Sequence, residues 1–254
     1  MGVLNVTPDS FADGGSFLDP PAAIAHGRRL IEEGADILDI GGESSRPGAQ
    51  AVAEQEELDR VVPVLRALKD VPVSIDTRRP SVMRAVLAEG ASMINDIEAL
   101  QAPGALEAVA ASDCAVCLMH KQGEPATMQQ RPSYGDVVAE VAGFLQERIL
   151  ACESKGIQRN RITIDPGFGF GKTPAHNFRL LRELAALSGL GVPVLAGWSR
   201  KSTLGTVTGK PVGERLAASL AAALLALQAG ATILRVHDVK ETRDVIAVWQ
   251  AARA

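Results

Sequence analysis

Short apolar runs rich in β-branched residues alternate with helix-length patterns of 3.6-residue apolar period, and this alternation constrains the fold more than any other feature of the sequence. The apolar runs fall at residues 2–6, 37–40, 73–75, 93–95, 115–119, 162–164, 193–196 and 233–236. The helical patterns fall at 21–33, 54–67, 81–89, 104–111, 134–154, 175–187, 213–229 and 240–251. Eight of each in strict order predict an α/β architecture, a (β/α)8 TIM barrel, and 254 residues suit one such barrel as a single domain over 1–254. A weak internal repeat at 34–39, 90–95 and 230–235 points the same way: a glycine closes a helix, an apolar strand follows, and a polar residue stands five positions after the glycine. Asp39, Asn95 and Arg235 are therefore expected at comparable heights near one mouth of the barrel. An open doubly wound sheet gives similar local patterns, so the repeat favours a barrel without excluding that alternative.

The formal charge of −4 lacks the basic footprint of a general nucleic-acid or membrane-surface binder, so neither partner is expected and an anionic ligand needs a local cluster of donors. Three cysteines, an odd number, point to a reducing compartment and hence the cytoplasm. The first residues, Met1-Gly2-Val3-Leu4-Asn5-Val6-Thr7, read as core structure rather than a signal peptide. The most apolar helix pattern, 216–229, is too short to span a bilayer and reads as a helix buried nearly all round, partly by another subunit.

Pro- and Gly-rich stretches at 7–21, 41–48 and 166–174 lie just beyond predicted strands, where barrel enzymes carry their active-site loops. The sharpest case is 162–172: Ile162-Thr163-Ile164 delivers Asp165 to a strand tip, Pro166 stops the ladder, and Gly167, Gly169 and Gly171 let backbone approach a ligand. The other tips present Asn5, the run 43–48, Asp76, Asn95-Asp96, His120, the run 199–202 and Arg235-Val236-His237. A cap or a turn explains any one of these as readily as a site does, but not carboxylate, amide and lysine converging on one rim. Asp76, Asn95, Asp165 and Lys201 suit a planar heterocycle with an amidine-like edge, a buried carboxylate being the partner for paired N–H donors. Asn5, Arg46, Arg235 and His237 suit phosphate oxygens.

Several familiar sites are excluded. The run 167–173 is one residue short of a P-loop and fails the dinucleotide fingerprint. Gly197-Trp198-Ser199-Arg200-Lys201 ends in lysine and is no nucleophile elbow. Cys114 and Cys117 have C-x-x-C spacing without a second pair, and no H-E-x-x-H motif occurs. His26 and His176 fall on helix patterns as surface or capping residues, and His120 suits a pocket role or a structural hydrogen bond equally.

Met1 through Phe11, Asp13-Gly14-Gly15, the run 41–48, the run 165–172, Ser199-Arg200-Lys201-Ser202 and 235–239 together closely resemble the bacterial dihydropteroate synthase family, over nearly the whole chain. The resemblance implies a TIM-barrel homodimer of folate biosynthesis. Such a transferase joins p-aminobenzoate to 6-hydroxymethyl-7,8-dihydropterin diphosphate with Mg2+, forming 7,8-dihydropteroate and pyrophosphate. It implies a pterin site of Asp76, Asn95, Asp165 and Lys201 lined by Met119 and Phe170, and a diphosphate site of Asn5, Arg46, Arg235 and His237, with Asn5 also serving Mg2+. Loops bearing Asp13 and Ser45-Arg46-Pro47 would order over the anion, and Phe11, Pro47, Phe170, Lys201 and Ser202 would frame the p-aminobenzoate site. Two departures stand out. The short segment that usually precedes the Met-Gly motif is absent, which bears on stability at the barrel base. Ser45 stands where threonine is common, keeping the hydroxyl and losing a methyl contact, so only a modest change in affinity for substrate or sulfonamide is expected. Two other readings are a methyltetrahydrofolate-binding or methyl-transfer barrel, which leaves residues 199–202 and the Arg235/His237 pair without a task, and a non-catalytic pterin-binding paralogue, which should have lost members of the anion group.

Overall fold

The computed structural model describes residues 1–7, 20–44, 52–124 and 127–253. Its strands are β1 (Gly2–Asn5), β2 (Leu38–Gly41), β3 (Val73–Asp76), β4 (Met93–Asp96), β5 (Ala115–Met119), β6 (Ile162–Asp165), β7 (Leu195–Ala196) and β8 (Ile233–Leu234). Strands β1 to β6 pair in parallel and in sequence order, and β7 pairs with β8. Parallel bridges Ile164↔Val194 and Gly2↔Val236 join these two sheets on both sides, so the eight strands close into a barrel. The open doubly wound alternative is thereby excluded.

Helices α1 (Pro20–Glu32), α2 (Glu54–Ala67), α3 (Pro80–Ala88), α4 (Ala105–Ala110), α5 (Val137–Ser154), α6 (Pro174–Arg182), α7 (Ala185–Ser188), α8 (Ser202–Thr208), α9 (Leu216–Gln228) and α10 (Val239–Ala251) surround it. The main core lies between helices and strands, with Leu4, Ile40, Ile75, Ile94, Leu118 and Ile164 fully buried on its strand side. A second, small cluster of Met93, Cys117 and Leu195, with Met1, Ala115 and Ile233 against it, is formed by alternate strand residues and fills the barrel interior. Cys117 is core, and burial raises its thiol well above the usual range.

The three repeat glycines close helices as the pattern predicts. Gly34, Gly90 and Gly230 have φ of 98°, 94° and 101°, a region costly for any residue with a Cβ. In each case the following alanine reaches back five residues: Ala35 to Leu30, Ala91 to Val86 and Ala231 to Ala226. This fixes where each strand begins, and hence the place along it of the residue five positions after the glycine.

Four local expectations are corrected. The helix expected over 175–187 breaks into α6 and α7, because three-residue-spaced bonds at Leu184, Ala186 and Leu187 tighten the turn between them. The helix expected from 134 begins at Val137, where Asp136 accepts from the Val138 and Ala139 N–H groups. Helix α8 was not anticipated, since Ser202–Thr208 is glycine-containing and β-branched. His26, expected at the surface, is buried, with Nδ1 2.6 Å from Arg29 Nη2. His176 does cap: it closes a capping box with Thr173.

Candidate active site

Strand register brings Asn5, Asp76 and Asn95 to one level, with Met119 and Asp165 two residues further toward the carboxyl ends. Asn5 pairs with Gly41, Gly41 with Asp76 and Asp76 with Asn95, while Met119 pairs with Asp165. Gly41 supplies no side chain, which leaves open the space between Asn5 and Asp76. Asp39 lies one layer deeper, level with Ser74 and Met93 and two residues below Asn95, which corrects the expectation of comparable heights for the repeat residues.

These residues meet at Arg235. Its Nε donates to Asp39 Oδ2 at 2.6 Å and its Nη2 to Asp76 Oδ2 at 3.0 Å, and Asn95 Nδ2 donates to the same Asp39 oxygen at 3.1 Å. The three repeat residues thus share one carboxylate. Asp39 is wholly buried, and its Oδ1 accepts no hydrogen bond among the described residues. Burial alone would lower the Arg235 pKa; Asp39 and Asp76 more than offset it and raise it. Burial lifts Asp76 to about 7, against the pull of Arg235 and with Asp39 and Asp96 adding to the rise. Burial also raises Asp165, opposed by the Gly167 N–H at 2.7 Å and by the charges of Lys201, Arg235 and Lys172.

A cavity of about 460 Å3 opens at the carboxyl ends of the strands. Asn5, Phe170, Lys201, Ser202, Arg235 and His237 line it, together with Thr7, Ser44, Ser199 and Arg200. Lys201 Nζ lies 4.2 Å from the centre of the Phe170 ring. Ser199 Oγ is 3.1 Å from the His237 backbone N and 3.0 Å from its Nδ1, and so links the β7 and β8 tips. Between them Arg200 adopts φ +59°, held by its N–H on Ser219 Oγ at 3.0 Å, its carbonyl on Arg215 Nη1 at 3.1 Å, and its guanidinium on Asp238 at 2.6 Å.

Asp76, Asn95, Asp165 and Met119 do not line this cavity; they lie beside or below it, reached through Arg235, Lys201 and the loop over Met119. Phe11, Asp13, Ser45, Arg46 and Pro47 fall outside the described residues. Three rim residues left open by the sequence take structural places. Both oxygens of Asp96 accept backbone N–H groups, from Glu98 and Leu100 at 2.8 Å. Glu43 pairs with Arg78 at 3.2 Å and Arg79 at 2.8 Å. His120 is buried with Nδ1 3.0 Å from Lys172 Nζ, and burial followed by the lysine charge lowers it to about 3. Asp39 is legible only as a member of the repeat and Lys172 only as the end of the run 165–172; Asn177 carries no sequence signal.

The arrangement offers acceptors on a buried floor and donors on the wall above it, joined by one guanidinium. The family model described as pterin binding enzyme matches residues 1–237. The chain belongs to the pterin-binding enzyme family. A dihydropteroate synthase from Haemophilus influenzae is 51% identical over 254 residues, covering 99% of this chain and 92% of that protein. The Yersinia pestis dihydropteroate synthase, solved with a sulfonamide drug, superposes with a TM-score of 0.97 at 49% identity, covering 100% of this chain and 93% of that one. The Xanthomonas albilineans enzyme, solved with 4-aminobenzoic acid, superposes with a TM-score of 0.94 at 56% identity, covering 100% and 92%. Among the described residues no helix is long and apolar enough to cross a membrane.

Proposed function

We propose that this chain is a dihydropteroate synthase, a transferase that condenses p-aminobenzoate with 6-hydroxymethyl-7,8-dihydropterin diphosphate, giving 7,8-dihydropteroate and pyrophosphate. Family membership at about half identity over nearly the full length supports the reading. The observation that carries it to this site is Arg235, which lines the cavity while its guanidinium contacts the two acids beneath.

In this reading Asp76, Asn95, Asp165 and Lys201 hold the dihydropterin over Met119 and beside Phe170. Arg235, His237, Asn5 and Arg46 hold the diphosphate. Phe11, Pro47, Phe170, Lys201 and Ser202 frame p-aminobenzoate, with Asp13 and Ser45 on loops over the anion. The C–O bond to the diphosphate breaks with its electron pair leaving on pyrophosphate, and the electron-rich ring carries the positive charge. Asp76 and Asp165 stabilise that cation, and Arg235 and His237 the departing anion. The arylamine nitrogen then attacks the exocyclic carbon and loses a proton, with no covalent enzyme intermediate.

Mg2+ fits the donors present. Asn5 offers a hard amide oxygen at the rim of the cavity. That suits an ion taking most of its ligands from diphosphate and water. Bound there beside Asn5, Mg2+ would neutralise leaving-group charge. A homodimer is supported by the exposed Leu216 and Leu225 on α9 and Val248 on α10. A cytoplasmic location is supported by three buried free cysteines.

A coupled assay for pyrophosphate tests the reaction. Steady-state release that requires both substrates, one pyrophosphate per dihydropteroate, is expected; binding of both substrates without release would overturn it.

A further inference from the structure

Two buried polar side chains near the site point at backbone rather than at the cavity. Lys172 is 2% exposed; its Nζ lies 3.0 Å from the carbonyl oxygens of Gly167 and Phe170, 3.3 Å from that of His120 and 3.0 Å from His120 Nδ1. Asn177, on α6, is wholly buried: its Oδ1 accepts from the Gly169 N–H at 2.8 Å, and its Nδ2 donates to Thr173 O at 3.0 Å and Thr203 Oγ1 at 3.1 Å. Burying an amine in this way is costly, and the four close polar partners offset that cost only if the carbonyls stay where they are. The lysine therefore favours one loop conformation over others.

The loop so held spans 167–171 and is pressed onto the end of β5. A Cβ on Gly167 would meet His120 O at 1.9 Å, and one on Gly171 would meet Gln122 O at 2.3 Å. From this loop the Gly167 N–H sets Asp165 Oδ1 at 2.7 Å, and the Phe170 ring supports Lys201. Thr203 belongs to the first turn of α8, directly after Lys201 and Ser202, so Asn177 ties the β6 loop to the β7 loop.

We propose that Lys172 and Asn177 are positioning residues that lock the loop over 167–171, so that Asp165, Phe170 and Lys201 keep one register for turnover. The proposal rests on the reaction proposed above. Its test carries a readout independent of that reaction: Trp198 packs against Phe168 of the same loop, ring centroids 4.6 Å apart and planes tilted by 37°. With Trp249→Phe as the parent, Trp198 is the sole tryptophan and its fluorescence reports the loop.

Lys172→Met and Asn177→Leu are compared with this parent for KM, kcat, pterin-binding stoichiometry and iodide quenching of Trp198. Lys172→Gln and Asn177→Asp are made in parallel in case the larger changes prevent folding. A loosened loop raises the KM for pterin diphosphate about tenfold or more at unchanged stoichiometry and increases the quenching of Trp198. Thr203→Val shows a smaller effect that does not add to that of Asn177→Leu, because the Asn177–Thr203 hydrogen bond it removes is already lost in that variant. Folded variants that keep parental KM values and parental quenching would overturn the proposal. A parent that releases no pyrophosphate, with quenching still increased in the variants, would instead overturn the reaction and leave the lock standing.

Discussion

From β1 to β6 the polar side chains of the mouth are delivered by paired strands, Asn5, Asp76 and Asn95 sharing one register level, whereas on the β7 and β8 side strands of two residues hand over to loops. On the first side position follows from ladder hydrogen bonds and alternation, and little else is needed. On the second, Lys201 and His237 depend on a left-handed Arg200, on Ser199 and on contacts from α9 and α10. The floor is set by strands and the wall by side chains bonded to loop backbone. Arg235 joins the two, donating from the β8 tip to acids on β2 and β3.

The largest effect is expected where the halves meet. Asp76→Ala or Arg235→Ala is expected to lower kcat/KM by about 10³ or more in steady-state assays, since in the proposed reading each removes a group that stabilises the developing ions. Arg235→Ala also costs about 3–5 kcal/mol in denaturant unfolding, because Asp39 is left buried without its cation. Adding Asp39→Asn to that variant recovers stability and no turnover. Near-normal rates in either single variant would show that the two sides do not act together.

The next effect isolates the loop side through pH. Burial lowers Lys172 from 10.5 to about 7, with Lys201 adding and Asp165 opposing. Between these values the unfolded chain binds a proton that the folded chain does not, so stability from this group rises with pH. Relative to Lys172→Met, the wild-type chain gains about 2 kcal/mol from pH 7 to 9, read from urea midpoints at each pH. Parallel pH curves would place the lysine in an ordinary environment.

The smallest effect concerns Arg200. Arg200→Ala and Arg200→Gly both lose the contact with Asp238, but only glycine relieves φ +59°. Arg200→Gly is expected to be more stable by about 1 kcal/mol in thermal melts. Equal stability would mean that the β7 loop carries no strain and differs less from the strand side.

The same contrast explains what was legible. Asp76, Asn95 and Asp165 are readable as ends of apolar runs, because strand period and helix-closing glycines fix position locally; the repeat marks Asp39, Asn95 and Arg235 as polar strand-end residues, but neither the deeper level of Asp39 nor the contact of all three is encoded in it. Helix α8, the break between α6 and α7, and the roles of Lys172 and Asn177 were not readable. Their partners are carbonyl oxygens and N–H groups of a loop whose path no periodicity encodes. His120 suits pocket and structure equally in the sequence for the same reason: its lysine partner is 52 residues away.

The most direct measurement is a crystal structure of the chain with pterin diphosphate, Mg2+ and p-aminobenzoate bound. The account predicts Asp76, Asn95 and Asp165 within hydrogen-bond distance of the ring, Arg235 and His237 on the diphosphate, and Phe170 with Lys201 beside the arylamine. A ring bound away from Asp76 and Asp165, or a diphosphate that touches neither Arg235 nor His237, would contradict it.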